Sequence, residues 1–441
     1  MPWLINFAYL SALVVSTPWL VYRFVWLKKN RRGWSQRLYG RVPPADPTRT
    51  CIWLHAVSVG EVQLLGPIVE ELLRRDSRLQ LVISTTTESG FDVAQKRFVN
   101  HRVFFCPFDF TWSVKRTLQR LQPKVIVLAE LELWPNLLRA AAKKNIPVIV
   151  VNGRLSERSF RGYQRISFVA RSMLRSVTKI AAQSPEYANR FLSLGAYPES
   201  IQICGNIKFD GAFNPQHAEL GRNLKNAFQL EDSEIVFVAG STQPEEDVMV
   251  AQAYRALKPR YPQLRLVIVP RHMQNVDSLR AILTSHSEHF VCRSQLNEFA
   301  SDALRGQPII VVDAVGELAG WWSLSKIAYV GGSMGKRGGQ NMIEPAANRA
   351  VISFGPRTEN FRDIVAMLLS RDAACVVHNQ QDFEAFLERA IVDAQWREEM
   401  GHRAFAVVQA QQGATARACD IILNLLNAPK RPASAIARRV A

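Results

Sequence analysis

Two doubly wound, parallel-sheet α/β domains are what this sequence predicts, and three observations predict them. Short apolar runs alternate with helical patterns from about residue 50, and the alternation weakens and then restarts after Leu230. Polar or glycine-rich clusters stand directly after those runs, at the carboxyl ends of the predicted strands, where this architecture binds its ligands.

The first segment stands apart from that pattern. "WLINFAYLSALVVSTPWLVY", Trp3 to Tyr22, has Asn6 as its one strongly polar interruption and is close to the length of about twenty residues that crosses a bilayer core. Basic residues follow it: Arg23, Lys28, Lys29, Arg31, Arg32, Arg37 and Arg41 come before any acidic residue, the first being Asp46. That asymmetry predicts an inner-membrane anchor with the rest of the chain on the cytoplasmic side. Pro18 leaves open a helix lying along the membrane face instead. In either form residues 1–45 make an anchor and basic collar that meets anionic lipid.

From "CIWLHAV" through "LQLVIST", "VFFCPFD", "KVIVLAE", "PVIVVNG" and "KIAAQS", buried strands alternate with helices, which predicts one domain over residues 46–215. "GAFNPQHAELGRNLKNAFQL" is the junction. "IVFVAGS", "LRLVIVP", "PIIVVDA", "IAYVGGS" and "AVISFGP" then predict a second domain over residues 216–405, facing the first across a cleft. Residues 406–441 read as a closing helix and a loose basic tail.

Across 441 residues, 55 Lys and Arg against 38 Asp and Glu give a net charge of +17. Such a balance points to an anionic partner: nucleic acid, a phospholipid surface or a phosphorylated substrate. The six cysteines are too widely spaced for a zinc site or redox motif and read as reduced and mostly buried.

The chemistry concentrates in a few clusters. In "HAVSVGE", Glu61 stands at a strand-to-helix turn. Ser58 and Glu61 have the spacing of a capping box, and a helix N-terminus also favours an ionised carboxylate able to accept a proton, so a cap and a general base are compatible readings. "AELELWPN" carries Glu130 and Glu132, which either line a site together or pair with surface cations. "GNIKFD" supplies Lys208. In the second domain "GSTQPEED" offers Ser241 and Thr242 to an anion at a helix start, and "VPRH" carries Arg271. "GGSMGKRGGQNMIEPAA" combines glycines that admit a ligand to the backbone with Lys336 and Arg337. Asn341 and Glu344 repeat the capping spacing there, while the Glu344 carboxylate also suits a pair of sugar hydroxyls.

These motifs, with "GRLSERS", "VGELAGWWSLSKIAYVGGS" and "FGPRTENF", occur in an order that strongly resembles the 3-deoxy-D-manno-octulosonic acid (Kdo) transferases of lipopolysaccharide assembly. The resemblance implies a GT-B glycosyltransferase fold, a CMP-Kdo donor, a lipid A precursor (lipid IVA) as acceptor, inversion at the anomeric carbon, no cofactor or required metal, and no nucleic-acid partner. It gives Glu61 the role of proton acceptor, with capping as a companion role, and lets Glu130 and Lys208 steady the transition state. Pro270 and Arg271, then Val315, Gly316 and Glu317, then Asn341, Met342, Ile343 and Glu344, match the CMP-binding segments. Ser58, Gly60, Glu132, Ser241, Thr242, Gly332, Ser333, Arg337, Gly338, Gly339 and Gln340 complete the expected substrate contacts. The chain departs from the family pattern at Leu131, Gln243 and Gln340, where Thr, His and His are usual. A GT-B enzyme using a UDP-sugar and a non-enzymatic, membrane-tethered anion-binding protein are the competing readings.

Overall fold

The structure, a computed structural model, describes residues 2–25, 32–295 and 304–428. Its contacts divide into two compact units. One takes the chain up to Asp210 together with the helix Ala414–Asn427, and the other runs Gly211–Gln411.

The first unit holds seven strands: β1 (Cys51–Ala56), β2 (Gln80–Thr85), β3 (Arg102–Phe105), β4 (Val125–Ala129), β5 (Val148–Gly153), β6 (Lys179–Ala182) and β7 (Ile201–Ile203). They pair in the order β3-β2-β1-β4-β5-β6-β7, all parallel. Alternation along each strand sorts side chains to two covered faces. Ile52, Leu54 and Ala56 of β1 pack beneath the helices Val59–Arg75, Glu88–Arg97 and Ala414–Asn427. Trp53, from the same strand, joins Phe104 and the helices Thr111–Leu121, Pro135–Lys143, Ser167–Ser176 and Pro185–Ser193 on the other face. The buried Trp53 indole donates to Ser84 Oγ at 2.7 Å, which satisfies its one polar atom.

The second unit repeats the plan with β8 (Ile235–Thr242), β9 (Leu264–Pro270), β10 (Phe290–Cys292), β11 (Ile309–Val311), β12 (Ile327–Val330), β13 (Val351–Phe354) and β14 (Cys375–Val376), in the parallel order β10-β11-β9-β8-β12-β13-β14. Strands β7, β10 and β14 are absent from the sequence reading. They are three, three and two residues long and lie at or near sheet edges, too short to show a period. Five of the six cysteines are buried and Cys375 is half-buried, all as free thiols.

The N-terminal segment forms the helix Pro2–Val25, yet among the described residues no helix is long and apolar enough to cross a membrane. The spanning form of the expected anchor is thus not supported by the described residues, and Asn6, its polar interruption, engages the first unit. Its amide donates to Thr111 Oγ1 at 2.8 Å, and its oxygen accepts from the Thr111 N–H at 3.2 Å and from Asn136 Nδ2 at 3.2 Å. Tyr9 OH donates to Asp109 at 3.2 Å. The polar interruption therefore docks this end of the helix onto the first unit by capping the neighbouring helix Thr111–Leu121. Lys28, Lys29 and Arg31 of the basic collar, and the basic tail from residue 429, lie outside the described residues.

Candidate active site

In a doubly wound sheet the crevice opens where successive strands run off in opposite directions, and in the first unit that point lies between β1 and β4. The three acidic candidates of this unit leave these two strands. Glu61 comes from the turn after β1, Glu130 and Glu132 from the turn after β4.

Glu61 sits in the first turn of the helix Val59–Arg75, whose N-cap, Ser58, has extended backbone with φ −112°. The Glu61 carboxylate accepts the Val57 N–H at 2.9 Å and the Ser58 hydroxyl at 2.9 Å, and the Glu61 N–H donates to Ser58 Oγ at 3.4 Å. Half of the expected capping box is present, the Ser58 side chain taking the Glu61 N–H, while the return bond goes to the Val57 N–H rather than to that of Ser58; together these bonds fix the carboxylate as well as the helix end. Burial raises the Glu61 pKa; the bonds from Val57 and Ser58 pull it back, and the charge of Glu130 pushes it up again. Gly60 leaves the approach open, since a Cβ built there meets only Ser58 Oγ, at 4.0 Å.

Glu130 adopts the left-handed region at φ +54°, with its N–H donating to Val151 O at 2.9 Å. That conformation costs a residue of this type about 1–2 kcal/mol, strain of the kind that collects at functional turns. Glu132 is pushed up to about 7, first by burial and then by the charges of Glu61 and Glu130. The three carboxylates thus form one cluster, in which burial and the charges of its neighbours let Glu132 hold a proton near neutral pH. His55, in the same motif, belongs to the core. It is fully buried, shares a 2.9 Å hydrogen bond through Nδ1 with Ser84 Oγ, and burial lowers it to about 4, so the ring is neutral.

Lys208 lies on the 3-10 turn Ile207–Phe213, fixed by Ile207 N–H donating to Asn152 Oδ1 at 3.0 Å and Lys208 N–H to Asn206 Oδ1 at 3.1 Å. Among the described residues no hydrogen bond or ion pair joins its ammonium to the carboxylate cluster.

The corresponding switch point of the second unit lies between β8 and β12. Here a residue outside the sequence reading decides the geometry. Glu246, 1 % exposed, accepts the N–H groups of Gly332 at 2.7 Å, Ser333 at 2.9 Å, Met334 at 3.0 Å and Gln243 at 2.9 Å, together with Tyr329 OH at 2.9 Å. The glycine-rich amides at Gly332 and Ser333 are therefore committed to a carboxylate and closed to a phosphate, a correction to the expected cradle. Its signal was the Q-x-x-E spacing of Gln243 and Glu246 in "GSTQPEED". Gly331 lets this loop pass the end of β8; a Cβ there lies 2.6 Å from both Ser241 O and Thr242 Cα.

Ser241 is left-handed at φ +59° where the pairing of β8 with β9 shifts register, and Thr242 is wholly buried beside Asp247. Asp247 is also wholly buried and burial raises it to about 7; the Thr242 hydroxyl pulls it back. Thr242 O accepts the Arg271 N–H at 3.0 Å, which leaves the Arg271 side chain exposed directly after Pro270 at the end of β9. After β11, Val315 is 86 % exposed and Gly316 is left-handed, while the Glu317 carboxylate is held by Arg293 Nε at 3.0 and 3.1 Å.

Past Ser333 the loop turns outward. Arg337 is exposed, Gly338 and Gly339 are both left-handed, and Gln340 is half-buried. The expected Asn341–Glu344 capping box does not form. Asn341 Nδ2 donates to Glu344 Oε1 at 2.9 Å and Asn341 Oδ1 accepts the Ile343 N–H at 3.1 Å, at the entry of the short helix Ile343–Ala347. Burial raises the Glu344 pKa, against Asn341 and the nearby His217. Met342 and Ile343 are buried and support the turn from below.

Two doubly wound units, each with polar groups gathered at its own switch point, define a GT-B-type fold. Comparison with known proteins is specific. Residues 32–211 match the family model described as 3-deoxy-D-manno-octulosonic-acid transferase (kdotransferase). The chain is 32 % identical to the 3-deoxy-D-manno-octulosonic acid transferase of Haemophilus influenzae over 95 % of this chain and 98 % of that one. It is 28 % identical to the enzyme of the same name from Bordetella pertussis over 91 % and 95 %. Among solved structures, the UDP-GlcNAc 2-epimerase of Neisseria meningitidis aligns with 86 % of this chain and 99 % of its own at TM-score 0.57 and 13 % identity, a likeness of fold alone. The chain belongs to the 3-deoxy-D-manno-octulosonic acid transferase family, and it is a glycosyltransferase.

Proposed function

We propose that this glycosyltransferase moves Kdo from CMP-Kdo onto a lipid A precursor, lipid IVA, with Glu61 as the general base. The observation that carries the assignment is the setting of Glu61: half-buried at the β1/β4 switch point, oriented by Val57 and Ser58, and raised in pKa while still hydrogen-bonded in its ionised form. A base is most effective when its pKa approaches the working pH, and burial moves Glu61 in that direction, with the charge of Glu130 adding to it.

In the reaction the acceptor hydroxyl gives its proton to Glu61 as its oxygen bonds to the anomeric carbon of Kdo. The bond from that carbon to the CMP phosphate breaks on the opposite side, and the configuration inverts. Arg271 and Lys208 offset the charge that develops on the departing phosphate. With Gly332 and Ser333 amides held by Glu246, that burden falls on side chains. Asn341 and Glu344 receive the nucleotide's sugar hydroxyls.

The membrane role belongs to the same proposal. The helix Pro2–Val25 exposes Phe7, Leu10, Val14, Val15 and Trp19, which suits a helix lying in the membrane face beside its lipid acceptor, with both units on the cytoplasmic side of the inner membrane. Incubation with CMP-Kdo and a tetra-acylated lipid A precursor, followed by mass spectrometry, tests the reading. The expected product is the precursor extended by Kdo; transfer from a UDP-sugar with no use of CMP-Kdo would overturn it.

A further inference from the structure

The stretch "GRLSERSFRGYQRISFVARSMLRS", Gly153 to Ser176, contains six arginines and one acidic residue, Glu157. It folds as two short helices, Glu157–Arg165 and Ser167–Ser176, joined at Ile166. The second buries Ala170, Met173 and Leu174 against the core, whereas the first has no fully buried residue. At the corner itself the apolar side chains point into solvent: Ile166 is 50 % exposed, Phe168 77 % and Val169 45 %. Arg158, Arg161, Arg165 and Arg171 are exposed around them, and the one acid, Glu157, is paired with Arg161 at 3.0 Å. An apolar tip inside a basic collar is costly to leave in water and matches a surface with negative headgroups above hydrocarbon.

Two further relationships place the corner. Tyr163, one turn before Ile166, packs on the same core face as Leu131 and Leu133, the chain neighbours of Glu132, so the corner lies on the side of the first unit that carries this acid. The helix Ser167–Ser176 packs on Pro135–Lys143, whose Asn136 is bonded to Asn6 of the N-terminal helix, so both exposed apolar segments belong to the same helical layer of the first unit.

We propose that the Ile166 corner is a second membrane-docking element, which inserts Ile166, Phe168 and Val169 into an anionic bilayer surface while Arg158, Arg161, Arg165 and Arg171 engage its headgroups. The Kdo-transfer reading explains why a bilayer is at hand, but the docking is independent of transfer. Docked at two places, the first unit presents its carboxylate cluster to the bilayer in one orientation.

The test uses the full chain with an environment-sensitive NBD fluorophore at Phe168→Cys, and vesicles of phosphatidylcholine with or without phosphatidylglycerol. On anionic vesicles the label is expected to brighten and shift to the blue. The unlabelled double variant Arg165→Glu, Arg171→Glu is expected to partition onto them about 20-fold or more less well. Circular dichroism and thermal unfolding of each variant verify the fold. A label that keeps its aqueous emission on vesicle-bound protein overturns the proposal and assigns binding to the N-terminal helix alone. An equal shift on neutral vesicles overturns the anionic preference. Because the readout is binding, a protein that docks as stated yet fails to transfer Kdo sinks the functional reading and leaves the docking surface standing.

Discussion

Ser58 Oγ donates to Glu61 Oε1 at 2.9 Å while the Glu61 N–H points back to the same Oγ at 3.4 Å. One serine therefore ends a helix and aims a carboxylate, and structural and chemical effects can be separated by choosing what replaces each partner.

Glu61→Gln keeps a side-chain oxygen able to accept from the Val57 N–H and the Ser58 hydroxyl but removes the base. The expected result is a thermal midpoint close to that of the unmodified protein, retained CMP-Kdo binding, and transfer lowered by about two orders of magnitude or more. Near-normal turnover removes Glu61 from the role.

Ser58→Ala deletes the cap and is expected to cost about 1 kcal/mol in urea unfolding. It also removes a bond that stabilises ionised Glu61, so the Glu61 pKa rises further. Since the base works deprotonated, the acidic limb of the pH–rate profile moves to higher pH. A profile that stays in place would show that the limb belongs to another group.

Glu132 is raised to about 7 in the folded protein from an ordinary value of 4.5. Between those values the folded state binds more protons than the unfolded state, so this group's contribution to stability falls as pH rises through the window. Glu132→Gln is expected to unfold at a higher temperature than the unmodified protein at pH 8, with the advantage shrinking toward pH 4. A difference independent of pH excludes a carboxylate held under strain by its neighbours.

Glu246→Ala leaves four backbone N–H groups and the Tyr329 hydroxyl without their buried acceptor. The expected loss is about 3 kcal/mol or more in denaturant unfolding, with weakened CMP binding as the Gly331–Gly339 loop loosens. Unchanged stability would mean that water replaces the carboxylate in full.

Much of this was legible in the sequence. Buried parallel strands are continuous apolar runs bounded by turns, so β1, β2, β4, β5, β8 and β9 announce themselves, and Ser58 with Glu61 announces the helix that follows β1. The short strands β7, β10 and β14 were not, because two or three residues establish no period. The Asn341–Glu344 spacing reads as a cap and folds as a direct side-chain pair, since spacing is blind to the backbone that carries it.

By itself, then, the sequence determined the two-domain parallel architecture, the family and the residues from which a site would be drawn, because periodicity and local motif chemistry act between neighbours in the chain. Only the tertiary structure decided that Glu61, Glu130 and Glu132 share one electrostatic environment, that Glu246 takes the amides of Gly332 and Ser333, and that Asn6 docks a helix onto the first unit. Each of these joins residues distant along the chain, and burial, which sets both the strength of a charge and the need of an amide for an acceptor, exists only once those segments have packed.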